Sequence, residues 1–394
     1  MSRIQYILVV FNIVYVPWLV SGRHMAGEQD NTVCSWHGDE ELHQHLRNFH
    51  DSVGRFPKKE TDEAREYHTQ LTKKLEDELK KRNKCSRVEF TGSSYEGVKV
   101  SNNIEFDVMM ILSVSHTDVK VEPTKHAGYF HLRASKENAS KKNANKENAN
   151  KETPYKENPK LKKMLADKNL VSPTKAAGAF YGNVNRYVSK TEEARQRIKL
   201  KRHGPATQLE VYKHSFEDKD PWYFVDVVPA IEVTNGNTHS IYVAKSKLGD
   251  EMSWRISYSL EEKEKLVDID RDNGCRKQVL RILKALLNRE AGLQKLTSYH
   301  MKTALLHEVD AVDDVDSWRP SKLVPRVIGV LRRLYRMAKQ EHFPHYFDPE
   351  INLLDEIPNP STVTNIRDRF LRLLRSKERF MRALQYRKVA VPIE

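Results

Sequence analysis

Cysteine is scarce in this chain of 394 residues, which contains only Cys34, Cys85 and Cys275. An odd and scattered set argues against a disulfide framework and is typical of a protein in a reducing compartment. A chain of this length can bury a sizeable core, and it suggests two or three domains or one bilobal body.

An apolar run occupies residues 4–20 and is interrupted by Asn12 and Pro17. The run is of marginal length for a bilayer span and is similar to a signal peptide or a short anchor. Because Met25 offers an alternative start, we treat residues 1–24 as a separate segment. It would be signal-like, an anchor, or a stretch upstream of the true start that is not translated.

Acidic side chains are outnumbered by basic ones, which gives a formal net charge of +13 and a pI near 9.3. Such an excess favours a polyanionic partner, because phosphates that are neutralised by Lys and Arg release counterions. A generally basic, solvated surface would give the same balance, and the charge does not say which polyanion would bind.

Three carboxylates stand inside apolar segments that have the character of strands. Glu105 and Asp107 lie in the run 104–112, and Asp226 lies in the run 222–228. Since side chains two residues apart share one face of a strand, Glu105 and Asp107 are expected to face the same way. An edge strand could show such a polar pair to water, but this run is apolar on both faces beyond the pair.

Carboxylates this close repel each other unless a divalent cation lies between them. Three of them on adjacent strands could hold two Mg²⁺ ions that clamp the attacking and leaving oxygens of a phosphoryl transfer. Gly92 and Ser93, shortly before Glu105, would contribute backbone N–H groups and a hydroxyl to a triphosphate. Each feature is weak alone, whereas all three in this order are far more specific.

The order Gly-Ser, then Glu-x-Asp, then a distant Asp in an apolar strand resembles the signature of polymerase-beta-like nucleotidyltransferases. Longer stretches resemble animal cyclic GMP-AMP synthase and the cyclic GMP-AMP synthase-like receptors, namely residues 91–98, 103–109, 251–259, 297–304, 342–347 and 349–354. The resemblance implies an α/β protein with a bilobal nucleotidyltransferase fold. A mixed-sheet catalytic lobe would be followed by an α-helical C-terminal lobe, with the active site in the cleft between them.

The resemblance also implies roles for individual residues. Glu105, Asp107 and Asp226 would be the catalytic, metal-binding carboxylates, and the cofactor would be Mg²⁺ or Mn²⁺. The nucleotide-binding residues would be Gly92, Ser93, Arg255, Lys284, Ser298, Tyr299 and Lys302.

Three of these nucleotide-binding residues have a more specific role by resemblance. Arg255 would meet the edge of a base, and Tyr299 would stack on a base. Lys284 would contact phosphate from the polar stripe of a helix that begins near residue 276. A structural arginine, a buried tyrosine and a solvated lysine are the competing interpretations.

The zinc-binding thumb of the vertebrate DNA sensor has no counterpart in this sequence. That thumb uses one His and three Cys, whereas residues 260–275 contain one cysteine, Cys275, and no histidine. A closed structural zinc site needs four ligands, so no zinc is expected. The chain is in this respect similar to the shorter invertebrate receptors, some of which respond to double-stranded RNA. Lysines and arginines read an RNA duplex through its backbone and shape.

Periodicity and composition predict several further elements. A helix is predicted over residues 61–83, and strands are predicted over 207–212 and 222–233. A degenerate five-residue repeat rich in Lys and Asn predicts a disordered insertion at about 134–162. We expect this insertion to be solvated and without a function of its own, rather than to bind a polyanion. The arginine-rich stretch 361–388 is predicted to be a lobe helix with a solvated side rather than a ligand-binding surface.

We therefore expect a catalytic lobe over residues 25–260 and a helical lobe over residues 261–394. The function implied by the resemblance is nucleic-acid-activated synthesis of a cyclic dinucleotide, similar to cyclic GMP-AMP, as an innate immune second messenger. The substrates would be ATP and GTP or another pair of NTPs, and the activator double-stranded RNA rather than DNA. A ligand-induced homodimer is an open question, and no stable membrane partner is expected.

A secreted enzyme would meet little ATP or GTP, so a cytoplasmic location is expected. Two alternatives stay open: a catalytically silent nucleic-acid-binding protein of the same fold, and a template-free nucleotidyltransferase that extends RNA ends. Intact Glu105, Asp107 and Asp226 argue against the first, because a binding surface does not need a cluster of carboxylates.

Overall fold

The computed structural model describes residues 36–53, 58–82, 84–100, 103–135, 160–357 and 359–385. Two predictions, for the segment 1–24 and for nearly all of the insertion at 134–162, lie outside the described residues. Within these ranges, no helix is both long enough and apolar enough to span a membrane.

In the part of the chain that the structure describes, the first lobe is built on a nine-stranded mixed sheet. Its strands are β1 (Arg87–Thr91), β2 (Glu105–Ser115), β3 (Val119–Pro123), β4 (Tyr129–Ala134), β5 (Ile198–His203), β6 (Ala206–Val211), β7 (Tyr223–Asn235), β8 (Thr238–Val243) and β9 (Ser253–Ser257). The strand order is β1-β2-β7-β8-β9-β4-β3, and β6 joins β5 to the free part of the β7 edge. Strands β2 and β7 run parallel, whereas the other named pairs are antiparallel. The predicted mixed sheet is confirmed.

The described helices are α1 (Glu40–Ser52), α2 (Lys58–Lys81), α3 (Pro173–Val188), α4 (Glu192–Arg197), α5 (Ser259–Val267), α6 (Arg276–Arg289), α7 (Ser298–Ala311), α8 (Leu323–Lys339), α9 (Pro360–Arg375) and α10 (Lys377–Ala383). Helix α2 confirms the helix predicted over residues 61–83. Its apolar stripe and that of α3 pack against the face of β2 that carries Phe106, Val108 and Met110. Burial on both faces explains why β2 is apolar from Val108 to Leu112.

The helical lobe has its own core, formed largely by α6 to α10. Helix α1 also contributes Leu42, Leu46 and Phe49 to this core, although the sequence boundaries assigned residues 25–260 to the catalytic lobe. The prediction of one continuous helix over residues 361–388 is wrong. The chain breaks at Ser376, whose side-chain oxygen accepts a hydrogen bond from Arg379 N and caps α10.

Candidate active site

The three candidate catalytic carboxylates lie near the beginning of the parallel strands β2 and β7. These strands pair in a register that places Asp107 directly opposite Asp226. Glu105 lies two residues before Asp107 and therefore on the same face of β2, as predicted. The fold thus brings Asp226 beside Glu105 and Asp107, from which it is far apart in the sequence.

The electrostatics of Asp107 reflect this proximity. Burial, with further repulsion from Glu105 and Asp226, raises the pKa of Asp107 to about 6. Burial also raises the pKa of Asp226, although a hydrogen bond from Gln208 acts in the opposite direction. A cluster of carboxylates that perturb one another in this way favours a bound cation.

The carboxylates do not converge on one point in this structure, contrary to the prediction from the strand pattern. Glu105 turns towards Lys99, with 2.6 Å between its Oε2 and the Lys99 Nζ. Asp226 Oδ1 accepts a hydrogen bond from Gln208 Nε2 at 3.0 Å, and its Oδ2 lies 3.6 Å from His203 Nδ1. Among the described residues, no three His, Cys, Asp or Glu side chains form a group that could hold a metal ion. Glu105 and Asp226 are each held by a neighbour that the strand pattern does not reveal.

The same side chains nevertheless fit a hard divalent cation. Carboxylate oxygens are the ligands that Mg²⁺ and Mn²⁺ prefer. The ammonium of Lys99 stands beside Glu105 where a cation would be favoured. The raised pKa of Asp107 likewise indicates a position at which added positive charge would be stabilising.

The turn before β2 holds Gly92 against Asp107. Gly92 has a φ of +77°, in the left-handed region that favours glycine. A Cβ atom at this position would lie 1.9 Å from Asp107 Oδ2 and 2.8 Å from Asp107 Cβ. Glycine is therefore required here both for the backbone conformation and for the close approach to the carboxylate.

A cavity of about 480 Å³ lies between the two lobes beside this turn. Ser93 and Glu105 line it from the first lobe, and Lys284 and Ser298 line it from the helical lobe. Ser298 is the first residue of α7 and is exposed. Predicted catalytic and predicted nucleotide-binding residues from both lobes therefore line one cavity.

Lys284 is buried, with 8% of its surface exposed, although the helix pattern places it on the polar stripe of α6. Its Nζ donates a hydrogen bond to the Val98 carbonyl oxygen at 2.9 Å, and burial lowers the pKa of Lys284 to about 8. The competing interpretation of a solvated lysine is wrong, because the loop that follows Gly92 packs over α6. The periodicity of one helix cannot reveal that a loop from the other lobe lies over its polar stripe.

Lys302 and Tyr299 belong to a buried polar network that joins the lobes. The Lys302 Nζ lies 2.7 Å from Glu96 Oε1 and 2.9 Å from Glu262 Oε2. Burial acts to lower the pKa of Lys302, but Glu262 and Glu96 raise it above its ordinary value. The Tyr299 hydroxyl donates to Glu262 Oε1 at 2.6 Å. It also accepts from His345 Nε2, because Nδ1 of His345 already accepts two backbone hydrogen bonds.

Arg255, on β9, lies beside Tyr299. Its guanidinium carbon is 5.8 Å from the centre of the Tyr299 ring. Its Nη1 is 3.4 Å from Glu356 Oε1, which also accepts a hydrogen bond from the Tyr129 hydroxyl at 3.1 Å. The two residues predicted to contact bases are therefore neighbours, and they have polar companions that the sequence reasoning did not include.

The polar residues at the site that were missed from the sequence include Lys99, His203, Gln208 and Glu356. Lys99 and Glu356 lie within two residues of segments that carry the family resemblance, and this nearness was the available signal. His203 and Gln208 come from the β5–β6 hairpin, and Gln208 is the register partner of Asp226. The sequence does not supply the register between β6 and β7, although the two strands are consecutive.

Comparison with known proteins gives two family matches. A model described as the Mab-21 protein nucleotidyltransferase domain matches residues 94–268, and one described as the Mab-21 protein HhH/H2TH-like domain matches residues 275–383. The chain is also similar to cyclic GMP-AMP synthase-like receptor 3 of Stylophora pistillata. The two are 28% identical over 314 residues, which cover 76% of this chain and 84% of the relative.

Proposed function

Because the chain belongs to the cyclic GMP-AMP synthase-like (Mab-21) family and has its nucleotidyltransferase domain, we propose that it joins two NTPs into a cyclic dinucleotide when a nucleic acid activates it. The observation that best supports the proposal is the placement of Asp107 directly opposite Asp226, with Glu105 on the same face. The product would be similar to cyclic GMP-AMP and would act as an innate immune second messenger.

Glu105, Asp107 and Asp226 would hold Mg²⁺ or Mn²⁺. When bound, such an ion neutralises phosphate charge and lowers the pKa of an attacking hydroxyl. Gln208 would keep Asp226 oriented through its hydrogen bond to Oδ1. The close contact of Gly92 with Asp107 would limit the movement of that carboxylate.

The 2′ or 3′ hydroxyl oxygen of one nucleotide would attack the α-phosphorus of the other. The bond between the α-phosphorus and its bridging oxygen would break, and pyrophosphate would leave. A second round between the two ends of the linear intermediate would close the ring and release a second pyrophosphate. The chain itself would act by positioning, because such a transfer needs no covalent bond to the protein.

The positioning groups would come from both lobes. Gly92 and Ser93 would contact the triphosphate through backbone N–H groups and a hydroxyl. Ser298, Lys284 and Lys302 would contact it from α6 and α7. Arg255 and Tyr299 would contact a base.

Double-stranded RNA is the proposed activator, and a second cavity of about 490 Å³ supports a polyanionic partner. Its lining includes His43, Arg47, Lys277 and Arg281, and also Asp51 and Asp270, and we call it the basic cavity. Arg281 Nη2 donates to the Gly97 carbonyl oxygen at 2.5 Å. Phosphates that bind here would therefore act on the loop that leads from Gly92, and could order the active site.

The test is incubation of the full chain with labelled NTPs, Mg²⁺ or Mn²⁺, and either an RNA or a DNA duplex. A small phosphatase-resistant product supports the proposal. An extended RNA end would instead identify a template-free nucleotidyltransferase, and duplex binding without any incorporation would identify a silent receptor. Light scattering with and without the duplex would detect a ligand-induced homodimer.

Two matched double variants test whether the reaction takes place at the carboxylates. Glu105→Ala with Asp107→Ala should abolish synthesis and leave duplex binding unchanged. Asp313→Ala with Glu350→Ala removes the same charge from exposed positions and should leave both properties unchanged. Turnover near that of the unmodified chain in the first double variant would contradict the assignment of the site.

A further inference from the structure

Glu356 lies beside the two residues that would contact a base, yet nothing in the proposed binding of metal or triphosphate uses it. It ends the short 3₁₀ turn Leu353–Glu356, which follows α8 in the helical lobe. Its side chain is 43% exposed, so a ligand in the cleft can reach the carboxylate. A carboxylate in a site that binds anionic nucleotides needs a separate explanation.

The carboxylate of Glu356 is held by two hydrogen-bond donors and one further cation. Its Oε1 accepts from the Tyr129 hydroxyl at 3.1 Å and lies 3.4 Å from Arg255 Nη1. Its Oε2 lies 3.7 Å from Lys245 Nζ. Burial acts to raise the pKa of Glu356, but Arg255 and Lys245 lower it, so the group is ionised at neutral pH. Glu356 is therefore a charged acceptor with a guanidinium as its fixed neighbour.

A guanidinium next to a carboxylate presents two donors followed by two acceptors. Guanine presents the complementary order across two adjoining edges: N7 and O6 accept on the Hoogsteen edge, and N1–H and the N2 amino group donate on the Watson–Crick edge. Adenine presents the N6 amino group in place of O6 and an unprotonated N1 in place of N1–H. Adenine would therefore place a donor against Arg255 and an acceptor against Glu356.

We propose that Glu356 is the residue that selects guanine at this position, reading N1–H and the N2 amino group while Arg255 reads O6 and N7. Tyr299 supplies the aromatic surface beside them, and Tyr129 is a positioning residue that holds the carboxylate. The inference rests on the proposed function, because it assigns a base to the same nucleotide site.

Isothermal titration of the full chain with GTP, ITP and ATP in the presence of Mg²⁺ tests this assignment. The unmodified chain should bind GTP more tightly than ATP by about 10- to 100-fold, the range for one good bidentate contact. ITP keeps O6, N7 and N1–H but lacks the amino group, so its affinity should lie between the two.

Two variants of Glu356 separate charge from shape. Glu356→Ala should remove most of the preference for GTP over ATP. Glu356→Gln should move the preference towards ATP, because a carboxamide can donate to one position of the adenine edge and accept from another. Tyr129→Phe should reduce the preference by a smaller factor. Glu350→Gln, an exposed change in the same segment, is the control and should leave it unchanged.

Equal affinity of the unmodified chain for GTP and ATP would overturn the inference, as would an unchanged ratio in Glu356→Ala. If Glu356→Ala does not fold, as judged by its thermal transition, the isosteric Glu356→Gln decides. The incorporation assay separates this inference from the proposed function. Guanine-selective binding without a product from any duplex refutes the proposed function alone, whereas a product made without guanine preference refutes the inference alone.

Discussion

Substitution of Gly92 by alanine should damage the site more severely than it damages the fold. An alanine at a φ of +77° costs about 1–2 kcal/mol in backbone energy wherever it occurs. At Gly92 the new Cβ would also meet Asp107 Oδ2 at 1.9 Å, Cγ at 2.6 Å and Cβ at 2.8 Å. Rotation of the Asp107 side chain relieves the first two contacts but not the third, so the strand or the turn must also move.

Such overpacking costs typically about 1–3 kcal/mol, so the total loss of unfolding free energy should be about 2–5 kcal/mol. Gly236 offers a matched control, because it has a φ of +59° and a Cβ added there would meet no atom within 4 Å. Gly236→Ala should therefore show the backbone cost alone. The turnover of Gly92→Ala should fall by about 100-fold or more, since displacing a reacting group by about 1 Å has effects of that size.

Urea unfolding and pyrophosphate release, measured on both alanine variants, give the two quantities. Equal losses of stability and of turnover in Gly92→Ala and Gly236→Ala would refute the steric reasoning. A double-variant cycle adds a second check. In an Asp107→Ala background, Gly92→Ala should cost less than in the unmodified chain, because two of the three contacts are gone.

Three further predictions concern the polar network, a buried histidine and the basic cavity. Lys302→Met should lower the free energy of unfolding in urea by about 3–5 kcal/mol, because it leaves the buried Glu96 and Glu262 without their cation. Adding Glu96→Gln should restore part of the lost stability. A loss below about 1 kcal/mol in Lys302→Met would contradict the buried ion-pair network. Burial lowers the pKa of His68 to about 3, so the unfolded chain binds a proton that the folded chain does not between about pH 6.5 and 3. Stability should therefore fall as the pH falls through this window, and His68→Phe should remove up to about 1.4 kcal/mol per pH unit of that slope in urea titrations from pH 6 to 4. Arg47→Glu with Lys277→Glu should weaken RNA binding to all duplex sequences alike and reduce its salt dependence, whereas Lys339→Glu at an exposed position should change neither.

The elements that sequence could predict are those whose pattern is local. Helix α2 has its apolar residues three and four positions apart, and β2 and β7 are apolar runs of strand length, so each was predicted close to its observed limits. The family resemblance supplied the lobes and the candidate residues. Local pattern could not supply the direction of the carboxylates, because Lys99 and Gln208 approach them from outside β2 and β7.

Lys284 illustrates the same limit in the helical lobe. The sequence of α6 distinguishes an apolar stripe from a polar one, and Lys284 falls on the polar one. Whether a polar stripe meets water or another segment depends on the tertiary fold, and here the Val98 carbonyl covers it. Glu356 was missed for a related reason, since its neighbours Tyr129 and Arg255 lie on strands of the other lobe.

The loop after Gly92 is held from the helical lobe by groups that the proposed function also assigns to ligands. Lys284 donates to the Val98 carbonyl oxygen, and Lys302 pairs with Glu96. A triphosphate that takes these two lysines must compete with the loop for them. Binding of nucleotide and the position of the loop are therefore linked.

Linkage of this kind is reciprocal. If a ligand that shifts the loop changes the affinity for nucleotide by some factor, nucleotide changes the affinity for that ligand by the same factor. Arg281 bonds to the Gly97 carbonyl oxygen and also lines the basic cavity, so a polyanion bound there acts on the same loop. An activator can then alter nucleotide binding without contributing any atom to the active site. In the proposed function, the dependence of synthesis on a duplex would follow from which of these partners holds the loop.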